Sequence, residues 1–182
     1  MIRAFVALPI PEAARAVLGP FLEQCARCAP GLRWVPAENL HLTLRFLGDI
    51  DEQVAGRLAD RLGTIRAAPF TLRTGALGSF GGTRSPRVVW LGLEEGASQA
   101  QGLAELCEAA CRELGLDAEA RPFRPHLTLA RARDREPPPL PRLPPAPAIE
   151  PWTAGEFVLY RSQLGRGPAR YTPVRRFPLT GR

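Results

Sequence analysis

Lysine is absent from this chain: all 24 Lys-or-Arg positions are arginine, and histidine occurs only twice. The first absence excludes any ligase that works through a covalent lysyl-nucleotide, because no side-chain amine is present to form one. Long apolar runs are also missing. No stretch approaches the roughly 18 uninterrupted apolar residues of a membrane span, and Met1-Ile2-Arg3 leads directly into a strand-like segment with no signal-peptide pattern. A soluble protein of the cytoplasm is therefore expected. Cysteine is scarce at four residues. Cys25 and Cys28, and then Cys107 and Cys111, fall near the ends of helix-like segments without the turn-rich knuckles of structural zinc. They read as small helix-face residues in a reducing compartment, with no metal site or redox pair.

What the chain does carry is positive charge. A formal net charge of +6 on 182 residues and a pI near 10.1 favour a polyanionic partner. The planar fork of arginine suits bidentate contact with phosphate, so an arginine-lined cleft fits an RNA end. Richness in Ala, Arg, Gly and Pro also accords with GC-rich coding, and many of these arginines are solvated surface. Apolar residues make up 45% of the chain, enough for the core of one domain or of two small lobes.

Both histidines sit in the same tetrapeptide, His41-Leu42-Thr43-Leu44 and His126-Leu127-Thr128-Leu129. Ordinary composition would place Leu-Thr-Leu after a given histidine with a probability on the order of one in a thousand. Two occurrences from two histidines require a shared cause. On a strand the side chains alternate, so His and Thr face one way, about 7 Å apart, while the leucines anchor the opposite face in a core. Two such strands side by side let two imidazoles flank one reacting group. With ordinary pKa values near 6.5, one can be neutral and the other protonated around neutral pH. Two threonine hydroxyls beside them can donate to anionic oxygens without any pKa shift. A phosphodiester fits this set, with one histidine taking the proton of an attacking hydroxyl or water and the other protonating the leaving oxygen. This chemistry requires no metal or cofactor.

With those residues in view, the chain resembles the two-histidine phosphoesterases. The resemblance is carried by Arg33-Trp34-Val35, by Glu38-Asn39-Leu40 through Leu47-Gly48, and by Arg124-Pro125-His126 through Ala130-Arg131. Within that superfamily it is most similar to the RNA 2′,3′-cyclic phosphodiesterases, also called 2′-5′ RNA ligases. Arg3 to Ala7, Tyr160-Arg161-Ser162 and Tyr171-Thr172-Pro173 extend the likeness over nearly the whole chain. The resemblance implies a bilobal α+β fold over residues 1–182, with two pseudo-symmetric lobes whose antiparallel sheets line a central cleft and whose helices lie outside.

It further implies His41 as proton donor to the departing 3′ oxygen and His126 as the base that activates water. Thr43, Thr128 and Arg131 hold the phosphate, and RNA with a 2′,3′-cyclic phosphate end is the substrate of a monomer that needs neither metal nor membrane. Alternatives stay open: ATP-independent 2′-5′ ligation of cyclic-phosphate and 5′-hydroxyl ends, action on small nucleoside or ADP-ribose cyclic phosphates, since the motif fixes the phosphate and not what it is attached to, and non-catalytic binding of RNA ends. Strict alternation would put Arg131 on the face away from His126, so the strand must bend or end before it. Arg45 has the parity of His41 and Thr43, with nothing beyond parity to make it a ligand.

Periodicity predicts strands at Ile2–Leu8, Phe70–Leu77, Arg87–Leu93, Phe123–Arg131, Phe157–Tyr160 and Tyr171–Phe177, with the first motif strand inside Leu32–Leu47. Helices are expected over Pro11–Cys28, disturbed at Gly19-Pro20, and over Ser98–Leu114, ended by Gly115. Another comes after Asp51 as cap, with Val54, Leu58, Leu62 and Ile65 on one face. Gly81, Gly82, Arg84 and Pro86 mark a hairpin loop, and residues from about 134 to 151 form a proline-dense surface connector. Trp34, Phe46, Phe123 and Tyr171 are candidates to stack on a base, although aromatics at such places ordinarily fill cores.

Overall fold

The computed structural model describes residues 1–165 and 167–181. It contains strands β1 (Ile2–Pro9), β2 (Leu32–Trp34), β3 (His41–Ile50), β4 (Phe70–Phe80), β5 (Val88–Glu95), β6 (Leu127–Ala132), β7 (Trp152–Ala154), β8 (Glu156–Gln163) and β9 (Arg170–Pro178). Its helices are α1 (Glu12–Cys28), α2 (Glu52–Leu62) and α3 (Ala97–Glu113). Every strand pairing among the described residues is antiparallel. The strand order is β7-β4-β5-β6-β3-β1-β8-β9, with β2 added to β6.

That order divides at β6 and β3, which are joined by one residue pair, Leu42 opposite Leu127. On one side lie β3, β1, β8 and β9, and on the other β6, β5, β4 and β7. The units β1-α1-β3 and β5-α3-β6 repeat the same strand, helix, strand succession, each leading to the shared tetrapeptide. Two pseudo-symmetric lobes result, as the α+β bilobal reading requires. Leu42, Leu44, Leu127 and Leu129 are all buried, as are Leu18, Leu22, Leu103 and Cys107 of α1 and α3. Removing a buried leucine side chain costs roughly 2–5 kcal/mol. The motif leucines thus secure the strands whose other face carries His41, Thr43, His126 and Thr128.

Several boundaries differ from expectation for identifiable reasons. Helix α1 runs unbroken through Pro20. Proline removes one backbone bond there, but buried Leu18, Phe21 and Leu22 hold the segment against the sheet. Asp51 does cap α2, accepting from the Gln53 N–H at 2.7 Å. The helix ends at Leu62, so Ile65 packs on the core from outside it. Strand β6 begins at Leu127, after His126 and not at Phe123. The short strand β7 has no signal in the sequence because three residues carry no periodicity. The proline-dense segment has no regular structure but is not loose: the Leu140 N–H donates to the Thr83 carbonyl at 2.7 Å, and Leu140, Leu143 and Ile149 pack on the core.

Desolvation pushes the three buried thiols upward, Cys25 and Cys111 to about 11 and Cys107 further. They are neutral packing groups at physiological pH. Among the described residues no helix is long and apolar enough to cross a membrane.

Arg45 is the buried charge that ties the first motif strand to the second lobe. Its guanidinium pairs with Glu108 of α3, donates to the Asp117 and Phe46 carbonyls, and approaches Glu119 at 3.7 Å. Only 8% of its side chain is exposed, so removing it would strand a partly buried carboxylate. Arg45→Ala is expected to lower unfolding free energy by about 2–4 kcal/mol in urea titration; a loss below about 0.5 kcal/mol would mean that the network is ordinary surface pairing.

Candidate active site

The antiparallel register at Leu42 and Leu127 fixes the relation between the two motifs. One step along each strand sets His41 facing Thr128 and Thr43 facing His126. The four polar side chains of the repeated tetrapeptide therefore meet across the junction, each histidine beside the threonine of the other lobe. All four are intermediate in exposure, between the buried leucines and solvent.

Each imidazole is anchored in the same way. His41 Nδ1 lies 2.7 Å from the Asn39 carbonyl, and His126 Nδ1 lies 2.6 Å from the Arg124 carbonyl, in both cases the residue two positions earlier. A carbonyl only accepts, so each Nδ1 carries the proton and donates it. Each Nε2 is left as the chemically active nitrogen, a base when neutral and an acid when protonated. Asn39 is itself held by its side-chain amide, which donates to the Ala169 carbonyl at 2.7 Å.

Aromatic side chains hold the rings on both sides. Phe5 lies 4.7 Å from His41, and Tyr171 meets it edge-on at 5.3 Å. Phe80 meets His126 edge-on at 5.1 Å, with Trp90 at 6.4 Å. The Trp90 indole needs Gly78 beneath it, since a Cβ there would come within 2.2 Å of the ring. These walls are not legible in the motifs, because they come from β1, β4, β5 and β9. The available signal is parity: Phe5 and Ala7 occupy alternate positions on the strand beside β3, and Ala7 is the partner of Thr43.

Two matching bulges decide which arginine enters the cleft. Opposite β1, Thr43 pairs with Ala7 and Arg45 with Val6, which leaves Leu44 as an extra residue. Opposite β5, Thr128 pairs with Trp90 and Ala130 with Val89, which leaves Leu129 as the extra one. An inserted residue reverses the parity of every later position on the strand. Arg131 therefore rejoins the face of His126 and Thr128, by the bend its position demands. Arg45 loses the favourable parity that it has on paper and turns to α3 instead.

The site's electrostatics are set by this packing. Burial pushes the His41 pKa down to about 4, with the charges of Arg131 and His126 acting in the same direction and the Asn39 carbonyl opposing. His126 is lowered by burial too and by Arg131, against the Arg124 carbonyl. Both shifts favour the neutral rings in the free protein. Desolvation raises the Tyr171 hydroxyl, while Arg131 pulls it back. Arg131 thus acts on His41, His126 and Tyr171 together.

Of the other aromatic candidates, Trp34 donates its indole N–H to the Ala29 carbonyl at 3.0 Å, and Trp34 and Phe123 pack on the core. Phe46 is 44% exposed, with the Arg3 guanidinium 5.0 Å above its ring. Among the described residues no group of three or more His, Cys, Asp or Glu is placed to hold a metal ion.

Two successive stretches, residues 8–90 and 91–171, match the family model described as LigT like Phosphoesterase. The RNA 2′,3′-cyclic phosphodiesterase of Geobacillus stearothermophilus is 34% identical across 97% of this chain, which spans only 57% of that relative's length. The protein of the same name from Thermus thermophilus is 38% identical across 98% of this chain and 91% of its own. The crystal structure of E. coli LigT complexed with 3′-AMP is similar with a TM-score of 0.82, at 35% identity over 98% of both chains.

With only two histidines in the chain, imidazole proton and carbon resonances give two titration curves by NMR. His41 is expected to titrate near pH 4 and His126 below 6.5. Arg131→Gln should move both upward, since it removes a charge that opposes the imidazolium. A His41 midpoint at or above 6.5 would contradict the desolvated geometry.

Proposed function

The chain belongs to the LigT-like phosphoesterase family, and from that premise we propose that it hydrolyses the terminal 2′,3′-cyclic phosphodiester of RNA to a 2′-phosphomonoester. The observation that carries the reading is the matched anchoring of His41 and His126, each with Nδ1 committed to a backbone carbonyl and Nε2 free for proton transfer. Both rings come from one chain, so a monomer holds the complete site.

His126 takes a proton from water as the oxygen attacks phosphorus. His41 gives its proton to the 3′ oxygen as that bond breaks, leaving phosphate on the 2′ oxygen. Thr43 and Thr128 donate hydrogen bonds to the non-bridging oxygens, and Arg131 neutralises charge that builds on them in the phosphorane-like transition state. The assignment of roles follows the family resemblance, and the buried setting of His41 is compatible with it. His41, whose imidazolium is made acidic by burial at about 4, releases its proton readily to a leaving oxygen. Loading that proton is coupled to binding, because the anionic phosphodiester favours the charged ring.

Catalysis needs His41 protonated and His126 neutral. The protonated fraction of His41 falls as pH rises past 4, and the neutral fraction of His126 falls as pH drops below its own lowered value. The kcat/KM profile is thus expected to be bell-shaped with its maximum below pH 6.5, and the kcat profile to peak at higher pH once substrate charge supports His41. His41→Ala and His126→Ala should each reduce kcat on a cyclic-phosphate RNA end by roughly 10²–10⁴-fold with the fold intact by circular dichroism. Near-native turnover in either variant, or a kcat/KM maximum above pH 7.5, would refute the acid and base pair.

A further inference from the structure

The cleft's cationic side does not end at Arg131. Strand β2 adds to β6 beyond the motif, and its register sets Arg33 directly opposite Arg131. Residues opposite each other in an antiparallel pair share a face, with Cβ atoms about 5 Å apart. Arg33 therefore lies on the cleft face, one strand outward from the arginine assigned to the phosphate. Both side chains are exposed.

Like charges placed directly opposite are destabilising unless something offsets them. Among the described residues neither Arg33 nor Arg131 forms an ion pair with any carboxylate. Neither donates a side-chain hydrogen bond to a described residue. Arg121 adds a third positive charge, exposed and only loosely matched by Glu119 at 3.8 Å. Arg131 is held below the usual arginine range by desolvation first and then by Arg33 and Arg121, against Tyr171. The pair is thus electrostatically uncomfortable and open to an anion.

On β3 and β1 the described residues offer nothing equivalent, since Arg45 is paired with Glu108. Counting five residues from each motif histidine, the counterpart of Arg131 is Phe46. The arginine nearby is Arg3, which lies over the Phe46 ring and pairs with Asp49 at 3.5 Å. Unmatched guanidinium groups therefore lead away from the histidines along β6 and β2, and not along β3 and β1.

We propose that Arg33, supported by Arg121, forms a second phosphate subsite that takes the phosphodiester one nucleotide upstream of the reacting cyclic phosphate. The cleft then prefers an oligonucleotide end to a nucleoside cyclic phosphate. This rests on the hydrolytic reading of the histidine pair and adds the direction in which the RNA chain leaves it.

The test compares kcat/KM for adenosine 2′,3′-cyclic phosphate with that for a diadenosine ending in the same group and carrying one internal phosphodiester. The native protein should prefer the dinucleotide by about tenfold at low salt, and less as salt rises. Arg33→Gln should bring that ratio close to unity. It should leave the melting temperature unchanged or raised, since it removes a like-charge pair; a structural role would lower it. Arg112→Gln, on the exposed surface of α3, controls for net charge and should preserve the preference. Equal ratios in native protein and Arg33→Gln, with the mononucleotide still turned over, would overturn the subsite while leaving the hydrolytic reading intact. Failure of the native protein to open either substrate would overturn both.

Discussion

The pairing of Leu42 with Leu127 is the contact on which the rest of the molecule depends. It is where the two lobes meet as a sheet, and both side chains are fully buried. Because neighbours on a strand point to opposite sides, fixing these leucines in the core also fixes His41, Thr43, His126 and Thr128 on the other face. Core stability and the geometry of the site are set by one register. A slip of one residue would send the imidazoles into the core and the leucines into the cleft.

Around that register the fold builds a low-dielectric setting in which small differences in packing become differences in acidity. Phe5 and Tyr171 enclose one imidazole, and Phe80 and Trp90 flank the other. Arg131 adds positive charge that disfavours both imidazolium forms until an anion arrives. In the proposed reaction, substrate charge and the catalytic proton are thereby linked: the phosphate that is to be cleaved also favours the protonated ring that cleaves it. The same arginine would otherwise suppress the acid it works beside.

Much of this is legible in the sequence. The repeated tetrapeptide announces its two faces because strand periodicity is local, and the buried leucines and half-exposed His and Thr residues obey it. Arg131 can be placed only by requiring a bend, and the extra residue at Leu129 supplies it. Arg45 shows where local parity stops: the bulge at Leu44 depends on how β3 meets β1, and no pattern within the motif reports it. Phe5, Phe80 and Trp90 are out of reach for a similar reason, being brought to the histidines by strands distant in the chain. The anchoring carbonyls of Asn39 and Arg124 belong to backbone geometry, which residue identity does not encode. Pro20 suggests a break because helix propensity is local, whereas the face of α1 that includes Phe21 and Leu22 is held by tertiary packing.

In the proposed reaction, water activated on one side of the phosphate displaces the 3′ oxygen on the other. That displacement is tested most directly by opening a short RNA with a 2′,3′-cyclic phosphate end in ¹⁸O-labelled water, then determining the label by mass spectrometry and the phosphate position by ³¹P NMR. A 2′-phosphomonoester carrying a single ¹⁸O is the expected product, made by proton transfer from His41 to the 3′ oxygen. A 3′-phosphomonoester, or an RNA end left cyclic after prolonged incubation with the native protein, would contradict it.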